Sequence, residues 1–151
     1  MKSGALIVIG VSVLGILLFS CMQSPEAAGD TITDELNNQI KSGDYESIFS
    51  DMSESARSVT PRDEFISSMN RVVARMKEYD DSLTWKKGNV RLSNEYTDLY
   101  FVHREMENDG KKLYITVTIS RSMVWRLFDL CVMPSESSTD AVCATNALRK
   151  T

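Results

Sequence analysis

Ile32, Leu36 and Ile40 recur every four positions from Thr31 onward, which places them on one face of a helix. Gly43-Asp44 interrupts that pattern. A shorter helix carrying Tyr45, Ile48, Phe49 and Met52 is expected next, and the polar run at residues 53–58 reads as a connection. Thr60-Pro61-Arg62-Asp63 then combines a Thr at the N-cap, a Pro at the first helical position and acid in the first turn. A long helix should start there. Its apolar stripe is Phe65, Met69, Val72, Val73 and Met76, and it should end near Tyr79-Asp80-Asp81. Methionines at this spacing are core filler rather than a cofactor box.

The second half of the chain changes period. Residues 83–85, 90–92, 97–106, 112–120 and 123–132 are rich in β-branched and aromatic side chains. Leu113, Ile115, Val117 and Ile119 alternate there with Tyr114, Thr116 and Thr118. These segments are predicted strands. Gly88-Asn89 and Asn108-Asp109-Gly110 supply turns, the second a hairpin between the two longest strands. Helices followed by consecutive strands imply an α+β fold, with the N-terminal helices packed on one face of a curved antiparallel sheet.

The N-terminus follows a different pattern. Lys2 precedes an apolar run at residues 5–19, after which small and polar residues take over. This is the layout of a signal peptide; the uncharged stretch through Met22 also approaches the length of an uncleaved membrane anchor. Leu18-Phe19-Ser20-Cys21 resembles the bacterial lipobox, although Phe19 is bulkier than the residue usual at its place. The resemblance implies cleavage before Cys21, a thioether-linked diacylglycerol on its sulfur and a further acyl chain, such as palmitate, on its amine. Two or more chains anchor stably, whereas one does not. Residues 1–20 are then a lipoprotein signal peptide and residues 21–30 a flexible tether, because Ser24-Pro25-Glu26-Ala27-Ala28-Gly29-Asp30 is short, small and polar. Met22 lacks the Asp that keeps many Gram-negative lipoproteins at the inner membrane, so the expected address is the outer membrane, facing the periplasm.

With lipid on Cys21, Cys131 and Cys143 remain as a pair in an oxidising compartment and are expected to form a disulfide. That bond would pin a C-terminal tail, residues 134–151, back onto the domain at residues 31–133. The chain contains one His, and the cysteine spacing is not CxxC, so neither a metal nor a redox cofactor is expected. Net charge is −4 for the 151 residues, and −5 once the leader with Lys2 is removed, leaving 16 basic against 21 acidic side chains. That balance argues against nucleic acid, whose binding needs a basic face to release counterions.

Two short helices, Gly43-Asp44-Tyr45, the capped helix at Thr60-Pro61, the meandering strands and Trp125-Arg126-Leu127 together resemble the NTF2-like, cystatin-like cone superfamily over residues 31–132. The resemblance implies a pocket between the sheet and the long helix. Its candidate lining is Asp98, Tyr100, His103 and Tyr114, with His103 the one side chain that titrates near neutral pH. No nucleophile elbow, phosphate loop or paired-carboxylate signature accompanies them. The expected function is therefore a non-enzymatic binding module taking a protein partner or a small apolar ligand, such as an inhibitor or immunity protein or an envelope assembly factor. The competing reading is a lyase or isomerase that uses the cone pocket.

Overall fold

Ser24 accepts a hydrogen bond from the Ala27 amide (3.3 Å) and Pro25 follows it, so the first helix, α1 (Pro25–Ser42), begins well before Thr31. The computed structural model describes residues 23–87, 99–135 and 139–147. The expected leader, Cys21, Gly88-Asn89, the strand at 90–92, Thr97 and Asp98 lie outside them. The tether expected at residues 21–30 is thus helical from Pro25 onward, and Ala28 and Gly29 are buried. Small, polar composition hid a Ser N-cap, Pro and acid at the helix start. Gly43 ends α1 at φ 72°, a left-handed value that glycine adopts without strain.

Asp44 caps α2 (Tyr45–Asp51) by accepting from the Ser47 amide at 3.2 Å. The segment expected as a connection is instead a helix, α3 (Glu54–Val59), capped by the Ser53 hydroxyl on Ala56 N (3.3 Å) and seated by the fully buried Ala56. A single alanine is too small a signal for periodicity to detect. The long helix, α4, spans Arg62–Lys77. Thr60 is not its cap: Pro61 occupies that position without a side-chain hydrogen bond, and the buried Thr60 hydroxyl accepts from Asn146 N at 3.4 Å.

Leu83, at φ 53°, closes a turn by donating to the Asp80 carbonyl (3.1 Å), so residues 83–85 are irregular rather than a strand, and β1 is Lys86–Lys87. The others are β2 (Leu99–Asn108), β3 (Lys111–Arg121), β4 (Trp125–Met133) and β5 (Val142–Cys143). They form an open antiparallel sheet in the order β1-β2-β3-β4-β5. Asp109 and Gly110, both at positive φ, close the β2–β3 hairpin and pair Asn108 with Lys111. In β4, Asp129 and Leu127 face the consecutive Thr118 and Ile119, so Phe128 is the extra residue of a bulge.

Val102, Met106, Leu113, Ile115, Val117 and Ile119 share one face of the sheet and are buried with the whole α4 stripe. The backbone of α4 approaches β4 and β5 most closely, while α1 lies over β2 and β4. The expected domain boundary at residue 133 therefore moves. Val142–Cys143 adds a strand to the sheet, Ala144 and Ala147 enter the core, and the Cys131 and Cys143 sulfurs are bonded, 2.06 Å apart.

Candidate functional site

Alternation along β2 sends Tyr100, Val102, Arg104 and Met106 to the helix side and Phe101, His103 and Glu105 to the other. The expected lining is divided accordingly. His103 pairs across the strands with Thr116, and Glu105 with Tyr114, so His103 and Tyr114 share the outer face while Tyr100 points inward. The ring of Tyr100 meets that of Trp125 edge-on at 5.0 Å. His103 Nδ1 lies 3.2 Å from Thr116 Oγ1, and which of the two donates depends on the ring tautomer. Glu105, the carboxylate closest in sequence, is 3.6 Å from Lys112 instead. Three candidate groups therefore converge on no common point, and the fourth, Asp98, lies outside the described residues.

Where the cone would hold a ligand, the helix side carries a charge that no sequence pattern marked. Arg104 is buried, its Nη2 2.6 Å from the Asp30 carboxylate and its Nη1 3.0 Å from the His103 carbonyl. Its Nε is buried without a hydrogen-bond partner among the described residues. Alternation is the signal that could have found it: Arg104 stands between Val102 and Met106, with Ile115 across the strand.

Asp129, Cys131 and Cys143 lie close enough together to suggest a metal group. Bonded sulfurs are not thiolates, however, and Asp129 already accepts from Leu130 N (2.8 Å) and Thr145 N (3.0 Å). Its carboxylate organises the bulge and the tail.

The concave surface lies elsewhere. Three grooves, of about 150, 560 and 320 Å3, share Arg126 at the start of β4. The first runs between α1 and β4 over Ile32 and Leu36; the second is rimmed by Ser55, Ser58, Ser120, Leu99 and Phe128. The third is walled by Gln23, Ala28 and Ile32 on one side and Val124 and Trp125 on the other. Trp125 lies between the first and the third. Its indole N–H donates to the Gln23 carbonyl at 3.1 Å, and the Arg121 guanidinium lies 5.5 Å from its ring centre. Sequence reasoning missed this cluster, although Arg-Ser-Met-Val-Trp-Arg at residues 121–126 is the one stretch there that combines two cations with three large apolar side chains. No described helix is long and apolar enough to cross a membrane. Comparison of the chain with protein-family models, with curated proteins and with solved structures found no match.

Proposed function

We propose that this chain is an exported lipoprotein held at a membrane through lipid on Cys21, and that its α+β domain is a non-enzymatic binding module of the NTF2-like kind. The observation that carries the reading is the passage from Lys2 and the apolar run into Leu18-Phe19-Ser20-Cys21, with a capped, packed helix starting only four residues later at Pro25. Leader and folded domain thus abut at the cysteine that would carry lipid. A disulfide within the domain fits an oxidising compartment. The outer membrane's periplasmic side is the favoured address.

Binding is favoured over lyase or isomerase chemistry by the split between the two faces of the sheet. A proton-transfer site needs its acid and base within hydrogen-bond reach of one substrate. Tyr100 and His103 stand on opposite sides. An acidic, tethered domain of this size suits a partner that is captured or neutralised at the membrane, an inhibitor or immunity role, or one that is held during envelope assembly.

Two measurements test the reading. Intact-mass analysis of the native protein should find Cys21 at the N-terminus with acyl chains attached; a free thiol at Cys21 with Met1 retained would remove the anchor. His103→Ala, expressed at wild-type level in a deletion strain, should restore function. Complete loss with fold and location preserved would transfer the assignment to chemistry at His103.

A further inference from the structure

The hairpin joining β3 to β4 ends in Arg121-Ser122-Met123-Val124-Trp125-Arg126, and Met123 is 81% exposed, the one large apolar side chain left so open among the described residues. Val124 and Trp125 beside it are half-buried. The tip is not free to swing. Trp125 is held edge-on by Tyr100 and by its hydrogen bond to the carbonyl of Gln23. Gln23 stands two residues after Cys21, and two residues of extended chain reach at most about 7 Å. The apolar tip is therefore fixed beside the point where the chain arrives from its proposed anchor.

The segment itself carries charge of one sign. Residues 121–126 carry two guanidiniums and no carboxylate, on a chain whose net charge is −4. Acidic side chains do line the neighbouring grooves, Glu35 and Asp51 in one and Glu54 in another. An anionic surface would repel the domain as a whole and attract this end, which turns a weak attraction into an orientation. Apolar tip, indole and flanking Arg are the three groups that partition together at a bilayer boundary. Aliphatic atoms enter the acyl region, Trp settles among the headgroups, and Arg reaches phosphate.

We propose that residues 121–126 form a membrane-contact surface that lays the domain against an anionic phospholipid leaflet, with Met123 and Val124 in the acyl boundary, Trp125 at the headgroups, and Arg121 and Arg126 on lipid phosphates. The inference rests on the anchored reading of the N-terminus. Contact at this end points the β2–β3 turn away from the bilayer, since β3 runs from Lys111 beside that turn to Arg121 at the tip. At about 3.3 Å per residue, its length separates the two by roughly 33 Å. The far end and the outer sheet face stay open to a partner.

The test uses the full chain, expressed with its own leader in a Trp85→Phe background so that Trp125 is the only indole. The purified protein is placed in phosphatidylcholine vesicles containing phosphatidylglycerol, with and without bromine on the acyl chains. Trp125 emission should shift to the blue and be quenched about twofold or more by brominated lipid. Met123→Ser with Val124→Ser should abolish most of that quenching while the protein stays on the vesicles. Arg121→Ser with Arg126→Ser should weaken it, as should about 0.5 M salt. Met123, Arg121 and Arg126 are exposed, whereas Val124 is half-buried and Arg121 lies over the Trp125 ring, so circular dichroism and the emission of Trp125 without vesicles verify that each variant keeps the fold and the indole's surroundings before it is read. Unquenched Trp125 in wild-type protein on vesicles would overturn the proposal and leave the tip to a water-borne protein partner. The anchor is judged separately by the mass of the N-terminus. A chain found unlipidated is mixed with the same vesicles and read by the same quenching, so either claim can fail while the other stands.

Discussion

The two principal helices meet the sheet in different ways. Along α4 the contact is apolar apart from the buried Ser68, which accepts from Arg71 of the same helix: Phe65, Met69, Val72, Val73 and Met76 are buried in one cluster with Leu130 and Val132 of β4 and with Ala144 beyond β5. Along α1 the contact includes a glycine and a charge. A Cβ on Gly29 would stand 2.7 Å from Val102 Cγ2, so only glycine lets the helix approach so closely, and Asp30 next to it reaches the buried Arg104. The buried Thr33 hydroxyl returns to the Gly29 carbonyl. The first seam tolerates any side chains of suitable volume, whereas the second requires particular residues at particular places.

Four variants sharpen that contrast, and the largest effect belongs to the apolar seam. Val73→Asp puts a carboxylate with no partner into the core beneath α4 and should abolish cooperative unfolding, as read by thermal melting. A melt close to wild type would mean that the stripe is a surface. The same seam depends on the tail that passes beneath α4. Replacing Cys131 and Cys143 together by Ser should cost about 3 kcal/mol from the freed loop, roughly 10 °C in Tm. Unchanged stability would show that Ala144, Ala147 and the Asn146–Thr60 hydrogen bond hold the tail without the bond.

The charged seam should respond asymmetrically. Asp30→Ala strands the buried guanidinium and should cost about 2 kcal/mol, less than a fully buried pair because the Asp30 side chain is 42% exposed. Arg104→Met removes the charge along with its unpartnered Nε and should cost about 1 kcal/mol or less. Equal losses in urea titrations of the two variants would mean that the arginine serves by packing alone.

The smallest effect lies outside both seams. Hydrogen bonds from the Ser82 hydroxyl and amide, at 2.7 and 2.9 Å, hold the Asp80 carboxyl below its ordinary value of 3.8. A folded-state pKa below the unfolded one contributes stability that is complete above the ordinary value and disappears as pH falls through the lowered one. Asp80→Asn should therefore be slightly less stable than wild type near neutral pH and indistinguishable from it in strong acid. A gap that persists in acid would assign the effect to turn geometry rather than charge.

The α4 stripe and the β2–β3 hairpin were legible because each follows from neighbours along the chain: apolar residues at helical spacing, and Asp-Gly where two left-handed residues are required. The early start of α1 was legible in principle, since Ser24-Pro25-Glu26 is a capping signature. The small, polar composition around it equally fits a tether, which masks that signature. Helix α3 offered one buried alanine, and Thr60 looked like a cap because its partner, Asn146, is far away in sequence. The candidate lining was the least legible. Residues 100, 103 and 114 were grouped by chemistry, and the pleat then sent Tyr100 to one side of the sheet and His103 and Tyr114 to the other.

By itself the sequence determined the α+β class, the hairpin between the two long strands, the pairing of Cys131 with Cys143 and the buried face of α4. These are consequences of local propensity, periodicity and cysteine count, which act within a few residues or by elimination. Tertiary structure alone decided that Arg104 would be buried against Asp30, that the tail would become a fifth strand, and that Trp125 would hold Gln23 beside an exposed Met123. Each joins groups that are distant in the chain: 74 residues separate Arg104 from Asp30, and 102 separate Trp125 from Gln23. Contacts of that span are settled by which faces pack together, and one residue of strand register inverts every face.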